Sequence, residues 1–145
     1  MGGHKHIERT IGAYIASHYR SAAEIGVGNN FETARFLCGK GMRIICTDIR
    51  QPEETFGIRF IIDDLFSPDY RLYRDVDLIY AVRPGEEMVP ALIDLAVRTN
   101  SDLIVYHLGF EKSGGGGDII NCGVILHQYH KVRNHQKVSF ESVSR

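Results

Sequence analysis

The stretch AAEIGVGNNFET, residues 22–33, contains the residue types best suited to hold a small ligand. Glu24 stands near the end of an apolar run, Gly26 and Gly28 follow it, and a helical pattern begins at Phe31. Glycines in such a turn adopt positive φ and let a ligand approach the backbone, while the next helix offers unpaired N–H groups. The loop therefore favours an anionic or polar ligand. The alternative is a tight turn whose own amides are capped by the carboxylate.

Two glycine patterns can be compared with this loop. The dinucleotide pattern G-x-G-x-x-G fails, because Phe31 stands where close packing of the helix on the strand needs glycine or alanine. NAD and FAD are therefore disfavoured. A pattern of one acid followed by three alternate glycines fits at Glu24, Gly26 and Gly28, with Asn30 in place of the third glycine. Asparagine tolerates left-handed backbone geometry better than most residues that carry a side chain, so the turn can survive this change.

Carboxylates also follow the second and third apolar runs of the chain. Asp48 lies near the end of MRIICTDI, 20 residues beyond Gly28, and Asp63 and Asp64 follow GIRFII. At the carboxyl edge of a parallel sheet these side chains would border the ligand crevice. The alternatives are that Asp48 only forms a turn and that the other two belong to a solvated loop.

Two further residues could take part in chemistry. Arg83 precedes Pro84 after VDLIYAV, where its guanidinium could bind a phosphate or carboxylate of a second ligand or pair with Glu86 or Glu87. His107, after the fifth apolar run, could act as a general base or be a satisfied core histidine.

The elements that must position these residues follow from hydrophobic periodicity. Helices are expected over residues 5–18, 31–39 and 84–100. Strands are expected over residues 22–27, 42–49, 57–62, 76–82 and 101–108, and a hairpin over 123–132 and 136–143. Four strand-helix alternations and an antiparallel pair predict an α/β fold. It is a Rossmann-like, open, mainly parallel sheet with helices on both faces and a C-terminal antiparallel hairpin.

Composition indicates one ordinary globular domain over residues 1–145. Hydrophobic residues make up 43% and charged residues 24%, and the formal net charge is −1. No apolar run is long enough to span a membrane or act as a signal peptide, so a cytoplasmic location is expected. The three cysteines show no C-x-x-C pair and are expected to be reduced. No metal site is expected, since weak metal affinity of the H-x-H at His4 and His6 would be incidental and the histidines of residues 127–135 lack ligand spacing.

The acid and glycine pattern resembles the opening motif of the class I S-adenosylmethionine-dependent methyltransferases. The resemblance implies that Gly26, Gly28 and Asn30 lie under the methionine or phosphate part of the ligand and that Asp48 binds the ribose hydroxyls. It also implies that Asp63 and Asp64 lie near the adenine. In length and order of segments the whole chain resembles a family of small uncharacterised archaeal proteins with this methyltransferase-like core.

Departures from that family make binding of S-adenosylmethionine, or a related adenosine nucleotide, better supported than methyl transfer. Residues 81–85 read AVRPG, without the catalytic motif that many members carry there, and KSGGGGD replaces the helix after the fifth strand. If the protein is an enzyme, methyl transfer to an unidentified acceptor is expected, with Arg83 and His107 as catalytic candidates. Gly114–Gly117 is interpreted as a lid or a disordered connection.

Two other functions remain open at this stage. One is a non-catalytic binding or scaffold module. The other is RNA binding through residues 127–137, where Lys131, Arg133 and Lys137 occur without an acid. That segment is also consistent with a solvated edge strand protected by its charges.

Overall fold

The computed structural model describes residues 3–108 and 116–133. Three α-helices and seven strands follow one another in chain order: α1 Gly3–Ala16, β1 Ser21–Ile25, α2 Glu32–Gly39, β2 Arg43–Asp48, β3 Arg59–Ile62, β4 Leu78–Val82, α3 Val89–Thr99, β5 Asp102–Tyr106, β6 Asp118–Asn121 and β7 Ile125–His130. Single-turn 3-10 helices lie at Tyr70–Tyr73 and Glu86–Met88. No helix of the described chain is both long and apolar enough to cross a bilayer.

All seven strands form one sheet in the order β3-β2-β1-β4-β5-β7-β6. Strands β1 to β5 are parallel to one another, and β7 is antiparallel to both β5 and β6. The chain runs outward from β1 to β3 and then returns to β4 on the other side of β1. The direction of winding therefore reverses between β1 and β4, where open α/β sheets form their ligand crevice.

The central strands are buried on both faces, which explains their nearly continuous apolar sequence. On one face Ala22 and Ile44 pack with residues of α1 and α2. On the other face Ala23 and Ile45 pack with α3 and with Tyr73 of the first 3-10 helix. Neighbouring residues of a strand thus serve two separate cores. The α/β sheet with helices on both faces is confirmed.

The sequence prediction was wrong in two places. The connection between β2 and β3 is the expected loop and the one between β3 and β4 contains only the 3-10 helix Tyr70–Tyr73, so the four expected strand-helix alternations are not all present. The antiparallel hairpin begins earlier than expected, because the short run DIIN forms β6 and pairs with β7. Residues 136–143 lie outside the described residues. Four residues beside a glycine tract are too few for periodicity to identify a strand.

Candidate functional site

The glycine loop takes the backbone conformation that its composition indicates. Gly26 and Gly28 have φ values of 74° and 58°, in the region that side chains disfavour. The Gly26 amide donates to the Thr47 carbonyl oxygen over 2.9 Å, which anchors the loop on the end of β2. A Cβ atom placed on Gly28 would meet no atom within 4 Å, whereas one on Gly26 would lie 3.3 Å from Cε of Met88. Gly28 therefore faces open space, and Met88 covers Gly26.

Asp48 lies beside this open space and holds the loop. Its Oδ2 accepts a hydrogen bond from the Gly28 amide and its Oδ1 accepts one from the Ile49 amide, both 2.7 Å long. The residue is only half-buried. Because a carboxylate has about four acceptor sites, it retains capacity for further donors. The side chain of Ile49, 60% exposed, adds an apolar surface next to it.

Asn30 and Phe31 leave the space above Gly28 clear. The Asn30 side chain donates to Oε2 of Glu8 over 2.7 Å and accepts from the Glu32 amide over 3.1 Å, at the start of α2. The Phe31 ring is buried in the core beneath α1 and α2. Asn30 thus replaces the third glycine with a side chain that has its own structural contacts.

Glu24 lies beneath the loop as a buried acid. It is 3% exposed, and its Oε1 accepts a 2.8 Å hydrogen bond from the hydroxyl of Tyr80, the residue opposite it on β4. The pKa of Glu24 is raised to about 8, mainly by burial; the Tyr80 hydrogen bond opposes this rise and the nearby Glu8 carboxylate adds to it. At neutral pH Glu24 is therefore mostly protonated. Its contacts favour a role in supporting the loop.

Glu8 is a site residue that the sequence reasoning missed. It is 1% exposed. Its Oε2 lies 2.7 Å from Nη1 of Arg83 and 2.7 Å from the side-chain Nδ2 of Asn30. Burial alone would raise its pKa, but the hydrogen bonds from Arg83 and Asn30 hold the pKa below its usual value. The available signal was an acid on the apolar face of α1, in line with Ile11 and Ile15.

Among the described residues, Oε1 of Glu8 is buried without a hydrogen-bond partner. An unpaired buried acceptor is costly, so this atom has capacity for a donor. Glu8 also lies near enough to Glu24 to influence its pKa, so two buried carboxyl groups lie near the glycine loop.

Arg83 pairs with Glu8, which excludes the expected alternative of an ion pair with Glu86 or Glu87. Its φ is 57°, a strained value for a residue with a side chain. The backbone amide donates to the Tyr106 carbonyl oxygen over 2.6 Å, and Cζ lies 5.2 Å from the centroid of that ring. Arg83 is therefore held by contacts on three sides. Backbone strain of this kind is concentrated at functional sites.

Asp63 and Asp64 separate in the structure. Oδ2 of Asp63 accepts from the Tyr73 hydroxyl over 2.6 Å and Oδ1 accepts from the Asp69 amide over 3.0 Å. These contacts attach the 3-10 helix to the end of β3 and favour a structural role. Asp64 is exposed and accepts from the Phe66 amide over 2.9 Å. A position near an adenine ring stays a prediction for both residues.

His107 is a buried histidine with a partner. Its Nε2 lies 2.6 Å from the Tyr129 hydroxyl, and its ring packs edge-on against His127 at 4.9 Å between centroids. These contacts favour a satisfied core histidine. The alternative role as a general base stays a prediction.

The basic segment after β5 is only partly described. Nζ of Lys131 lies 3.6 Å from the buried carboxylate of Asp102, so part of the segment's charge is balanced within the fold. Residues 134–137, and with them the rest of the expected RNA surface, lie outside the described residues. Within the glycine tract, Gly117 packs on β7, where a Cβ would come within 2.5 Å of the Gln128 carbonyl oxygen. Gly114 lies outside the described residues.

The strand order and the acid-lined glycine turn define a Rossmann-like domain of the methyltransferase type. Magnesium protoporphyrin IX methyltransferase from Synechocystis, solved with bound S-adenosylmethionine, is similar with a TM-score of 0.60 and 17% identity, over 87% of this chain and 79% of its own. A TehB-like S-adenosylmethionine-dependent methyltransferase from Corynebacterium glutamicum has a TM-score of 0.57 and 15% identity, over 83% of this chain and 84% of its own. Likeness at this identity shows the fold alone.

By sequence, the chain belongs to the family described as "Uncharacterised protein family (UPF0146)", whose model matches residues 9–115. A UPF0146 protein of Pyrococcus horikoshii is 34% identical over 102 residues, 68% of this chain and 78% of the relative. One from Archaeoglobus fulgidus is 30% identical over 96 residues, 66% of this chain and 74% of the relative. The expected resemblance to a small archaeal family with a methyltransferase-like core is confirmed.

The fold alone does not select the ligand. A putative zinc-dependent alcohol dehydrogenase from Rhodobacter sphaeroides also matches, with a TM-score of 0.52 and 16% identity, over 72% of this chain and 47% of its own. The chain also spans about half the length of a matching Streptomyces caelestis methyltransferase, of which it covers 50%. Only the residues of the site can therefore indicate which ligand is bound.

Proposed function

We propose that this protein binds S-adenosylmethionine, or a closely related adenosine compound, at the carboxyl edge of β1, β2 and β4. The observation that carries the proposal is the open space above Gly28 with the half-buried carboxylate of Asp48 beside it. The solved neighbours support it, because they include a methyltransferase with bound S-adenosylmethionine.

The residues at the site fit the parts of such a ligand. Two ribose hydroxyls are hydrogen-bond donors, and Asp48 keeps acceptor capacity after binding two backbone amides. We expect the exposed side chain of Ile49 to pack against the flat base. Glycine at position 28 lets the ligand approach the backbone, where a side chain would occupy the space. Met88, whose side chain is unbranched and adaptable, covers the loop at Gly26.

Glu8 would receive the cationic end of the ligand. Its Oε1 atom is buried and accepts no hydrogen bond from the described residues, and Glu24 lies close enough to have its pKa raised by Glu8. An ammonium group supplies the donors that such an atom lacks. We therefore place the amino-acid part of the ligand towards α1.

If the protein is an enzyme, we propose methyl transfer. S-adenosylmethionine supplies an activated methyl group when bound, and displacement at that carbon depends mainly on proximity and alignment. Within this arrangement Arg83 is a positioning residue, because its guanidinium is held by Glu8 and by the Tyr106 ring. A binding module without catalysis predicts the same ligand contacts and no transfer.

The proposal is tested by following backbone amide chemical shifts during separate titrations with S-adenosylmethionine, S-adenosylhomocysteine, ATP and NAD. We expect the first two to shift the amides of residues 26–30 and 48–49 and to bind at least tenfold more tightly than NAD. Shifts confined to residues 127–133, or equal affinity for all four compounds, would overturn the proposal. A transfer assay with labelled S-adenosylmethionine and cell extracts of RNA and protein then separates enzyme from binding module.

A further inference from the structure

A cavity lies at the amino-terminal ends of strands β1, β2 and β3. It has a volume of about 560 Å³, and its lining includes Arg43 and Arg59, the first residues of β2 and β3. Clefts of a few hundred cubic ångströms are the usual size for small-molecule sites. The proposed adenosyl site lies at the carboxyl ends of the same strands, so the length of the strands separates this cavity from that site.

The cavity is lined in part by the connection between β3 and β4. A right-handed connection from β3 to β4 crosses the face that also carries α3. Here that connection contains only the single-turn 3-10 helix Tyr70–Tyr73, which covers less of the sheet than a full helix would. Arg59 is opposite Ile45 in the β2–β3 ladder, and Ile45 belongs to the core on this face. Arg43, two residues before Ile45, therefore shares that face with Arg59.

Two of the cavity's positive charges are not neutralised within the described part of the chain. Five charged side chains line the cavity: Arg43, Arg59, Arg71, Asp69 and Asp75. Arg71 makes a bidentate pair with Asp69, with both N–O distances 2.9 Å. No ion pair between described residues involves Arg43 or Arg59, which are both exposed. Asp75 is the one remaining acid of the lining, so the cavity has an excess of positive charge.

The floor of the cavity is apolar. Ile45 and Val76 are buried and Leu72 is half-buried, and all three line it. Guanidinium groups bind phosphate through two parallel hydrogen bonds, which a single ammonium cannot reproduce. A ligand that satisfies both parts of the lining has a phosphate at one end and an apolar or flat body at the other.

We propose that this cavity is a binding site for a small phosphomonoester, with Arg43 and Arg59 on the phosphate and Ile45, Leu72 and Val76 against its body. The site is independent of adenosine recognition. Its test therefore uses ligands without adenine, so that failure of the adenosyl site and failure of this site are distinguishable.

The experiment is a chemical-shift titration with phenyl phosphate, inorganic phosphate and phenol. We expect phenyl phosphate to shift the amides of Arg43, Ile45, Arg59 and Leu72, with affinity at least tenfold above that of inorganic phosphate or phenol. Phenyl phosphate without effect at millimolar concentration, or with shifts centred on residues 26–30, would overturn the proposal. Equal affinity for phenyl phosphate and inorganic phosphate would overturn the part assigned to the apolar floor.

Variants separate the site from general charge effects. Arg43→Gln/Arg59→Gln should weaken phenyl phosphate binding at least tenfold, and Asp75→Asn should strengthen it about threefold. The matched control Lys5→Gln/Arg9→Gln, which removes two exposed charges from α1, should change the affinity less than twofold. Equal weakening by both double variants would overturn the proposal. If the double variant of the site fails to fold, Arg43→Gln and Arg59→Gln singly should each weaken binding about threefold or more, and two unchanged affinities would overturn it.

Discussion

Arg83 and Glu8 lie 75 positions apart in the sequence, and Nη1 of the first is 2.7 Å from Oε2 of the second. Their side chains are 19% and 1% exposed. The pair joins α1 to the end of β4 across the back of the glycine loop. Through Asn30, which donates to the same Glu8 oxygen, it also holds the start of α2. The candidate site thus contains a buried charge pair between two segments that are far apart in the sequence.

Arg83→Met should destabilise the protein by about 3 kcal/mol, because it leaves the Glu8 carboxylate buried without its cation. Urea unfolding followed by circular dichroism measures the change. In the double variant Glu8→Gln/Arg83→Met, the Glu8→Gln change removes the unpaired buried charge and should restore part of the lost stability. Arg98→Met removes an exposed pair with Asp94 and should cost less than about 1 kcal/mol. Equal effects of Arg83→Met and Arg98→Met would contradict the buried-pair interpretation.

Asp48→Asn should lower the affinity for S-adenosylhomocysteine at least tenfold, because charge-assisted hydrogen bonds to the ligand hydroxyls are lost. Calorimetric titration measures it. Asp94→Asn is the matched control, since Asp94 is exposed on α3 and pairs with Arg98. Unchanged affinity in Asp48→Asn would show that this carboxylate only supports the loop.

Gly28→Ala should reduce ligand affinity at least tenfold and destabilise the fold by about 1 kcal/mol. The methyl group enters the open space, and φ of 58° is unfavourable for alanine. Gly39→Ala is the control, because Gly39 lies in α2 with free space around its Cβ position. It should leave affinity unchanged and stabilise the helix by up to about 1 kcal/mol. Identical affinities in the two variants would place the ligand elsewhere.

The pH dependence of stability should reveal the protonated state of Glu24. Its pKa rises from 4.5 to about 8 on folding, so between these values the folded protein holds a proton that the unfolded chain has lost. The unfolding free energy contributed by this group therefore decreases as pH rises through that window, by at most about 1.4 kcal/mol per pH unit. Glu24→Gln should flatten the profile between pH 5 and 8 by this amount, measured by urea unfolding.

Glu86→Gln is the control for this profile, because Glu86 is exposed at the start of the second 3-10 helix. Its profile should run parallel to that of the unchanged protein. A Glu24→Gln profile parallel to both would mean that Glu24 is ionised in the folded state.

Much of the fold was predictable because its signals are local. The apolar runs of β1, β2, β4 and β5, and the helix between β1 and β2, were recognised from periodicity and glycine stop signals, with ends displaced by a few residues. Strand β6 was missed because it has four residues and little alternation. The 3-10 helix between β3 and β4 was missed because a single turn has no periodicity to detect.

The candidate site likewise contains residues that were predicted from local sequence and residues that were missed. The glycine loop and Asp48 were identified from residue types and spacing, and the structure brings them within hydrogen-bond distance. Glu8 was missed because its importance depends on Arg83 and Asn30, which approach it only when α1 packs across the sheet. Glu86 and Glu87 were the expected partners of Arg83 because they are near it in sequence. In the structure Arg83 pairs with Glu8 instead.

By itself the sequence determined which residues could form strands, where glycine permits a bent backbone, and which carboxylate follows the second strand. These properties depend on side-chain size, polarity and order along the chain. Only the tertiary structure decided that Glu24 is buried and protonated, that Glu8 balances Arg83, and that two arginines share a cavity at the far edge of the sheet. Those outcomes depend on desolvation and on distances between segments remote in sequence, which no local pattern contains.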